Sequence, residues 1–130
     1  MSFASISFST AASDKLRSMQ GRTGITPNLL VRMGFCLSLR DHTPVTLDEP
    51  IDNARTIERR VLTGIYDELL LTLLRQRSEC ARLNEDKLVR HFKAHMYRGV
   101  DLLAKQLHKQ KSLDRLPFLL PKSARSEKVL

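Results

Sequence analysis

The stretch that decides the fold is residues 84–107, NEDKLVRHFKAHMYRGVDLLAKQL. Its apolar residues recur every three or four positions, which is the spacing of one face of an α-helix. Glu85 and Asp86 follow Asn84 and suit the positive end of the helix dipole. We therefore predict a long helix that begins after Asn84. Its buried face would hold Leu88, Phe92, Met96, Gly99, Leu103 and Leu107.

The start of the chain predicts a short strand or extended arm followed by a helix. Apolar side chains alternate with serines in residues 3–9, which is the period of a half-buried strand. The helix would span about residues 10–20, with Ser9 or Thr10 as its N-cap. Gly21 stands where a glycine closes a helix in the left-handed conformation. The buried residues would be Ile6 and Phe8 in the strand, and Ala12, Leu16 and Met19 in the helix.

A second helix is predicted from Thr26-Pro27 to about Arg40, because threonine is a good N-cap and proline is favoured at the first helical position. Residues 41–50 contain two prolines and predict a loop with at most a short strand. The predicted core positions of the helix are Leu29, Leu30, Met33, Cys36 and Leu37.

A third helix is predicted to be strongest between Ile57 and Arg77. Its run LLLTLL, residues 69–74, leaves little polar face. A helix that is apolar nearly all round needs cover on several sides, which a chain of this size supplies most easily by association with another copy. The fold class is therefore all-α, with four main helices and a short N-terminal strand. Residues 1–116 would form one domain and residues 117–130 a loosely held basic tail.

The charge of the chain points to a polyanionic partner. The 130 residues carry 22 Lys and Arg against 14 Asp and Glu, a net charge of +8. The excess lies at both ends, with +4 over residues 1–40 and +4 over residues 84–116, whereas residues 41–83 carry −2. Nucleic acid is the usual partner of such a surface.

Several other classes of protein are disfavoured. We expect no membrane span and no secretory signal, because no long uncharged apolar run is present and the first ten residues lack a basic start. Cys36 and Cys80 form no paired motif, so a disulfide framework is not expected and a reducing cytoplasm fits best. Cys36 would be a small core residue, while Cys80 would lie near a helix end. No nucleophile, phosphate-loop or dinucleotide motif is present, which predicts no enzyme activity and no cofactor.

His91 and His95 are the only arrangement that suggests a metal site. Imidazoles four positions apart on a helix can share one ion. Their neighbours Arg90, Lys93 and Arg98 are cationic, however, and they oppose the binding of another cation. We therefore predict no metal and interpret this segment as a basic helix face.

The candidate DNA-binding residues are basic side chains with few aromatic residues near them. Aromatic residues make up only 5% of the chain and none alternates with the cations, so contact with a duplex backbone is favoured over base stacking. The start of the second helix, beside Arg22, offers backbone amides that suit a phosphate. The predicted contacts are Lys15, Arg17, Arg22, Arg32, Arg90, Lys93 and Arg98.

Three segments resemble the DNA sulfur modification protein DndE family. They are residues 14–28, which include GRTGITPN, residues 62–67, LTGIYD, and residues 95–100, HMYRGV. The resemblance covers roughly residues 5–108. It implies a small helical protein of the bacterial system that replaces a non-bridging phosphate oxygen of DNA with sulfur. It also implies a non-catalytic component that forms tetramers, prefers nicked duplex DNA and works with the other modification proteins.

Two alternatives remain at this point. The strand–helix–helix order of residues 5–40 resembles ribbon-helix-helix proteins, which would make the chain a regulator that binds an operator. The outward strand residues are Ser5, Ser7 and Ser9, with no Arg, Asn or Gln to read base edges, which argues against sequence-specific binding. A scaffold for the other modification proteins is the second alternative.

Gly21 and Gly24 are predicted to lie at an oligomer interface. A loop with two bare Cα atoms would let the backbone of a neighbouring subunit approach closely. A purely local explanation is equally open, since one glycine would close a helix and the other would allow a tight turn.

Overall fold

The structure is a computed structural model that describes residues 3–110. Its elements are β1 (Ser5–Phe8), α1 (Thr10–Thr23), α2 (Pro27–Arg40), β2 (Arg55–Glu58), α3 (Arg59–Thr63), a 3-10 turn (Gly64–Tyr66), α4 (Asp67–Arg75) and α5 (Glu85–Gln110). The fold is thus mostly helical with one small sheet. The predicted tail, residues 117–130, and the last six residues of the predicted domain lie outside the described residues.

The long helix α5 is the element on which the others pack. Asn84 caps its first turn, because its Oδ1 accepts a hydrogen bond from the Lys87 amide at 2.9 Å. The six residues predicted for its buried face are all buried. Phe92 lies at the centre of the core, with its ring centroid 5.0 Å from that of Phe35 on α2 and 5.7 Å from that of Phe3.

Helices α2 and α5 touch through their backbones. Gly34 of α2 lies directly against Gly99 of α5, and a methyl group on either residue would overlap main-chain atoms of the other helix. The absence of a side chain at both positions therefore sets the distance between the two helices. This contact explains why Gly99 belongs to the buried face of α5.

The predicted strand is present, and its partner is a strand that the sequence patterns did not reveal. β1 pairs with β2 in antiparallel register, with Ile6 opposite Ile57 and Ser7 opposite Thr56. Ile6 and Phe8 are buried as predicted. The Ser7 and Thr56 hydroxyls lie 3.2 Å apart on the outer face. The prediction that Ile57 begins a helix was therefore wrong, because pairing with β1 holds this segment extended.

The predicted third helix is divided into α3, a 3-10 turn and α4. Gly64 has φ 57° and ψ −137°, a conformation that an L side chain rarely adopts and that no helix continues. The prediction of one continuous helix over Ile57–Arg77 was wrong for this reason. The loop predicted for residues 41–50 is confirmed, since it contains no helix or strand.

The first helix has the predicted kinds of cap with one shift, whereas Thr26 stands at the N-cap position of α2 but its hydroxyl donates to Asn28 Oδ1 at 2.6 Å and makes no cap hydrogen bond. Ser9 caps α1, and its Oγ accepts the Ala12 amide at 3.2 Å. The left-handed residue that closes α1 is Gly24, with φ 73°, and not Gly21, which lies inside the helix. The helix gains a turn because Thr23 continues it and donates its hydroxyl to Met19 O at 2.8 Å.

Helix α2 has the predicted bounds but buries a different face. Leu29 and Cys36, both predicted in the core, are exposed. The helix is rotated so that its glycine meets α5 and its serine reaches a buried histidine. Its buried residues are Leu30, Val31, Gly34, Phe35 and Ser38.

The two cysteines differ in burial, and the prediction that Cys36 is a core residue was wrong. Cys80, expected near a helix end, is fully buried, and burial raises the pKa of its thiol. Cys36 is exposed, yet partial desolvation raises the pKa of its thiol as well. Neither thiol is activated as a nucleophile.

Candidate nucleic-acid interface

The guanidinium of Arg98 donates hydrogen bonds to Ser38 near the end of α2 and to Thr43 in the loop that follows. Its Nη2 donates to Ser38 O at 2.7 Å, its Nε to Ser38 Oγ at 2.8 Å and its Nη1 to Thr43 O at 2.5 Å. Arg77 donates to two further carbonyls at this end, at 3.0 and 2.8 Å. The two arginines thus satisfy carbonyls that have no partner within the helix.

Arg32 and Arg22 make the same kind of contact. The Nε of Arg32 donates to Leu62 O at 2.6 Å and its Nη2 to Val61 O at 3.1 Å, which ties α2 to α3. The Nη2 of Arg22 donates to Leu107 O at 3.0 Å, near the end of α5. Three of the arginines predicted to bind DNA are therefore placed against main-chain oxygens.

Lys15 lies in an ion-pair triad that joins α1 to α5. Its Nζ is 2.6 Å from Asp101 Oδ1, and the Nζ of Lys105 is 2.9 Å from Asp101 Oδ2. Both lysine side chains are substantially exposed, as is the carboxylate between them. Hydrogen bonds from Lys15 and then Lys105 lower the pKa of the Asp101 carboxyl, so the group stays ionised.

The triad and its neighbours form a basic surface, the α1–α5 basic face, defined by Lys15, Arg22, Lys105 and Lys109. Lys105 and Lys109 are one turn apart on α5 and are exposed. The sequence patterns did not single them out, although their spacing of four and eight positions from Asp101 is visible in the sequence. Arg17 is two residues from Lys15, so it points to the opposite flank of α1, where it pairs with Asp14 at 3.5 Å.

The other predicted contacts on α5 lie far from this face. Arg90 is exposed near the amino end of the helix, and the Nζ of Lys93 lies 5.5 Å from the ring centroid of Phe3. Twelve residues separate Lys93 from Lys105, a distance of about 18 Å along a helix. The structure therefore separates the predicted cations into groups rather than joining them in one patch.

His95 is buried, and His91, one turn earlier on α5, is half-buried. The Nδ1 of His95 lies 2.7 Å from Ser38 Oγ, while its Nε2 and the Nδ1 of His91 have no hydrogen-bond partner. Desolvation, followed by the charges of Arg98 and Arg77, lowers the pKa of His95 to about 4. Within residues 3–110 no three His, Cys, Asp or Glu side chains converge in a way that could hold a metal ion.

The sequence of the chain matches the model of a known protein family. The model of the DNA sulphur modification protein DndE matches residues 5–111, which is most of the chain. The chain belongs to the DndE family. The resemblance seen in the sequence is thereby confirmed, and the family is associated with the phosphorothioation of DNA.

Solved DndE structures share the fold. DndE from Escherichia coli B7A, described as involved in DNA phosphorothioation modification, is 22% identical with a TM-score of 0.64, and the match covers 79% of this chain and 98% of that one. A DndE mutant with two glycines changed to lysine is 18% identical with a TM-score of 0.60 and the same coverage. None of the curated proteins compared with the chain matches it significantly.

The two-stranded ribbon of this DndE-family chain, formed by β1 and β2, lies within one subunit. β1 and β2 come from the same chain, and the outer face of their sheet carries Ser5, Ser7, Thr56 and Glu58. A carboxylate and three short hydroxyl side chains present little that reads base edges. In the described part of the chain, no helix is long and apolar enough to cross a bilayer.

Proposed function

We propose that the protein binds the backbone of duplex DNA, with a preference for nicked duplex, as a non-catalytic component of the DNA phosphorothioation system. The observation that carries the proposal is the α1–α5 basic face, where two helices hold four cations on one side of the molecule. Because the DNA partner is chromosomal, we expect the protein in the bacterial cytoplasm. It would act there with the other DNA sulfur modification proteins.

The cations divide into two proposed roles. Lys15, Lys105 and Lys109 have ammonium groups that solvent reaches, so we assign them to phosphate contact, together with the remaining donors of Arg22. Exposed Arg17 and Arg90, with Lys93, would extend the contact on a bent or nicked duplex. Arg32 and Arg98 use their donors on carbonyls, so we propose a structural role for them instead.

Binding to the DNA backbone depends on charge and does not distinguish one base sequence from another. Each phosphate that a cation neutralises releases counterions, and the logarithm of the affinity then falls by about 0.9 per contact for each tenfold rise in salt. The hydroxyl-rich outer face of the ribbon favours this mode over operator recognition. A nick would strengthen binding because a duplex with one interrupted strand bends more easily and can contact the α1–α5 basic face over a longer distance.

The test measures binding to intact, nicked and single-stranded DNA at two salt concentrations. Changing Lys105 and Lys109 together to alanine should weaken binding and reduce the salt slope by up to about 1.8, while the fold persists because both residues are exposed. Removal of Arg82, an exposed cation outside the basic face, is the matched control.

Three outcomes would redirect the proposal. Equal affinity and slope in the lysine variant would move the binding face to Arg17, Arg90 and Lys93. A single preferred palindrome would favour the ribbon-helix-helix regulator. Binding to the other modification proteins with none to DNA would favour the scaffold.

We also propose that the protein assembles with copies of itself, most simply as a tetramer. An apolar patch at the α3–α4 junction is open to solvent, with Ile65 90%, Leu69 52% and Leu73 38% exposed. Monomers rarely leave such a group of large apolar side chains uncovered.

The glycines of α1 support the assembly. Gly21 lies in the last turn of α1 with open space around it, so nothing in residues 3–110 requires a glycine there. Glycine costs a helix about 1 kcal/mol relative to alanine, and close approach of a second subunit would explain it. Gly24 has a local role as the closing residue, and we propose that it lies at the same interface.

A further inference from the structure

Asp101 is placed where it opposes the proposed DNA contact. Each of its carboxylate oxygens pairs with a different lysine. Oδ1 pairs with Lys15 of α1, and Oδ2 pairs with Lys105 on its own helix, α5. A phosphate that approaches either ammonium group therefore also approaches a negative charge. The side chain of Asp101 is 38% exposed, so this charge faces solvent and not the core.

Asp48, in the loop after α2, lines the same cleft as Lys15 and Asp101. Within the two helical segments that form the basic face, acidic residues are few. Over residues 10–23 and 101–110 the only acidic residues are Asp14 and Asp101. Asp14 pairs with Arg17 at 3.5 Å on the far flank of α1. Asp101 is thus the one carboxylate in these two segments that touches the α1–α5 basic face.

We propose that Asp101 limits the affinity of the basic face for DNA phosphates by holding the ammonium groups of Lys15 and Lys105. The inference rests on the proposed function and deepens it. With the carboxylate in place, the triad presents a net charge of +1 and both ammonium groups are paired with Asp101. Without it, the same two lysines present +2 and are free to reach phosphate oxygens.

The test compares Asp101→Asn with the wild type on nicked duplex DNA by fluorescence anisotropy. Asparagine keeps the shape and one acceptor oxygen, so α1 stays near α5 while the charge is lost. At 0.1 M salt each lysine that gains a phosphate should tighten binding by roughly eightfold, and the salt slope should steepen by about 0.9 per contact.

Asp14→Asn is the matched control, because it removes the same charge from α1 without touching the triad. We expect it to change affinity by less than about twofold, as a screened surface charge does. An equal gain in both variants would overturn the proposal, because the effect would then be one of net charge. Asp101→Ser serves as the second variant if the asparagine change disturbs folding.

A double-mutant cycle identifies the lysine that is released. Lys105→Ala should weaken the wild type less than it weakens Asp101→Asn, where the expected loss is about eightfold, because only in the wild type does Asp101 compete with the phosphate for that ammonium group. Equal effects in the two backgrounds would overturn the proposal. If the wild type binds DNA and Asp101→Asn binds with the same affinity, this inference alone is overturned. If neither protein binds DNA, the proposed DNA function is overturned as well.

Discussion

At the scale of the residue, the basic side chains differ in what their N–H groups contact. Arginines such as Arg98 and Arg32 donate to main-chain oxygens, and their planar fork can hold two or three acceptors at once. Lysines such as Lys105 and Lys109 remain at the surface. Net charge alone therefore overstates the number of cations that a polyanion can reach.

Arg98→Ala should destabilise the fold and leave the DNA-binding face intact. The change removes the charged hydrogen bonds that the guanidinium donates to Ser38 and Thr43, which costs about 2 kcal/mol in the free energy of unfolding. Urea denaturation gives this value, and Arg17→Ala is the exposed control, with an expected change below about 0.5 kcal/mol. A stable Arg98→Ala protein with weakened DNA binding would reverse the assignment.

His95 should make stability depend on pH. Its pKa is lowered from 6.5 to about 4, mainly by burial and further by the charges of Arg98, Arg77 and His91, while Glu79 opposes the shift. Between these two pH values the unfolded chain binds a proton that the folded chain excludes. The free energy of unfolding should therefore fall as the pH decreases through this window, by up to about 3 kcal/mol.

The measurement compares denaturation of the wild type and His95→Gln at pH 7 and pH 4.5. Carboxylates titrate in the same range in both proteins, so only the difference between them reports on His95. The loss of stability between the two pH values should be smaller in the variant. Parallel losses in the two proteins would show that this histidine does not titrate as the structure implies.

At the scale of the element, the crossing of α2 and α5 depends on two absent side chains. Gly34→Ala or Gly99→Ala inserts a methyl group against main-chain atoms that cannot rotate away. We expect a loss of about 3 kcal/mol in the free energy of unfolding, at the upper end of overpacking effects. Thermal unfolding followed by circular dichroism measures it.

The exposed Gly21→Ala is the control for these two changes. Its new methyl group meets no atom of residues 3–110 within 4 Å and improves helix propensity, so stability should rise slightly at protein concentrations low enough to dissociate the proposed assembly. A control that loses as much stability as Gly34→Ala would mean that the crossing has no special role.

The elements that the sequence predicts correctly are those with local signals. α5 has a regular apolar stripe and an asparagine cap, and β1 alternates cleanly. β2 has only four residues, and its partner lies about fifty positions away, so no local pattern reveals it. The buried face of α2 was misplaced because a glycine and a serine, Gly34 and Ser38, lie in the core where leucines were expected.

The candidate site was only partly predictable for a similar reason. Lys15 was identified from the excess of basic residues near the amino end. Its association with Lys105 depends on α1 lying beside α5, which is a tertiary fact. The arginines of the predicted cluster could not be recognised as structural, since their acceptors are backbone oxygens distant in sequence.

At the scale of the whole molecule, the proposed assembly can be tested without disturbing the fold. Gly21→Lys adds a long charged side chain at an exposed helical position where there is room for it within the chain. Helix propensity improves by up to about 0.7 kcal/mol, so the subunit should remain folded. Light scattering should nevertheless show a lower mass, because a second subunit would meet the new side chain.

Two comparisons make this result specific. Ala81→Lys adds the same charge at an exposed position of another segment and should leave the mass unchanged. Leu69→Gln should also lower the mass if the apolar patch is buried between subunits, whereas the neighbouring exposed Thr72→Gln should not. An unchanged mass in both Gly21→Lys and Leu69→Gln would leave the protein without the proposed interface.

The position of α5 at the end of the described chain has a consequence for synthesis. α1 and α2 make their largest helix contacts with α5, which the ribosome produces after them. A nascent chain that stops at Asn84 therefore lacks the helix that covers most of the apolar surface of α1 and α2. We expect such a chain to be cut rapidly by a protease, and resistance to appear only once the residues up to Leu107 have emerged from the ribosome.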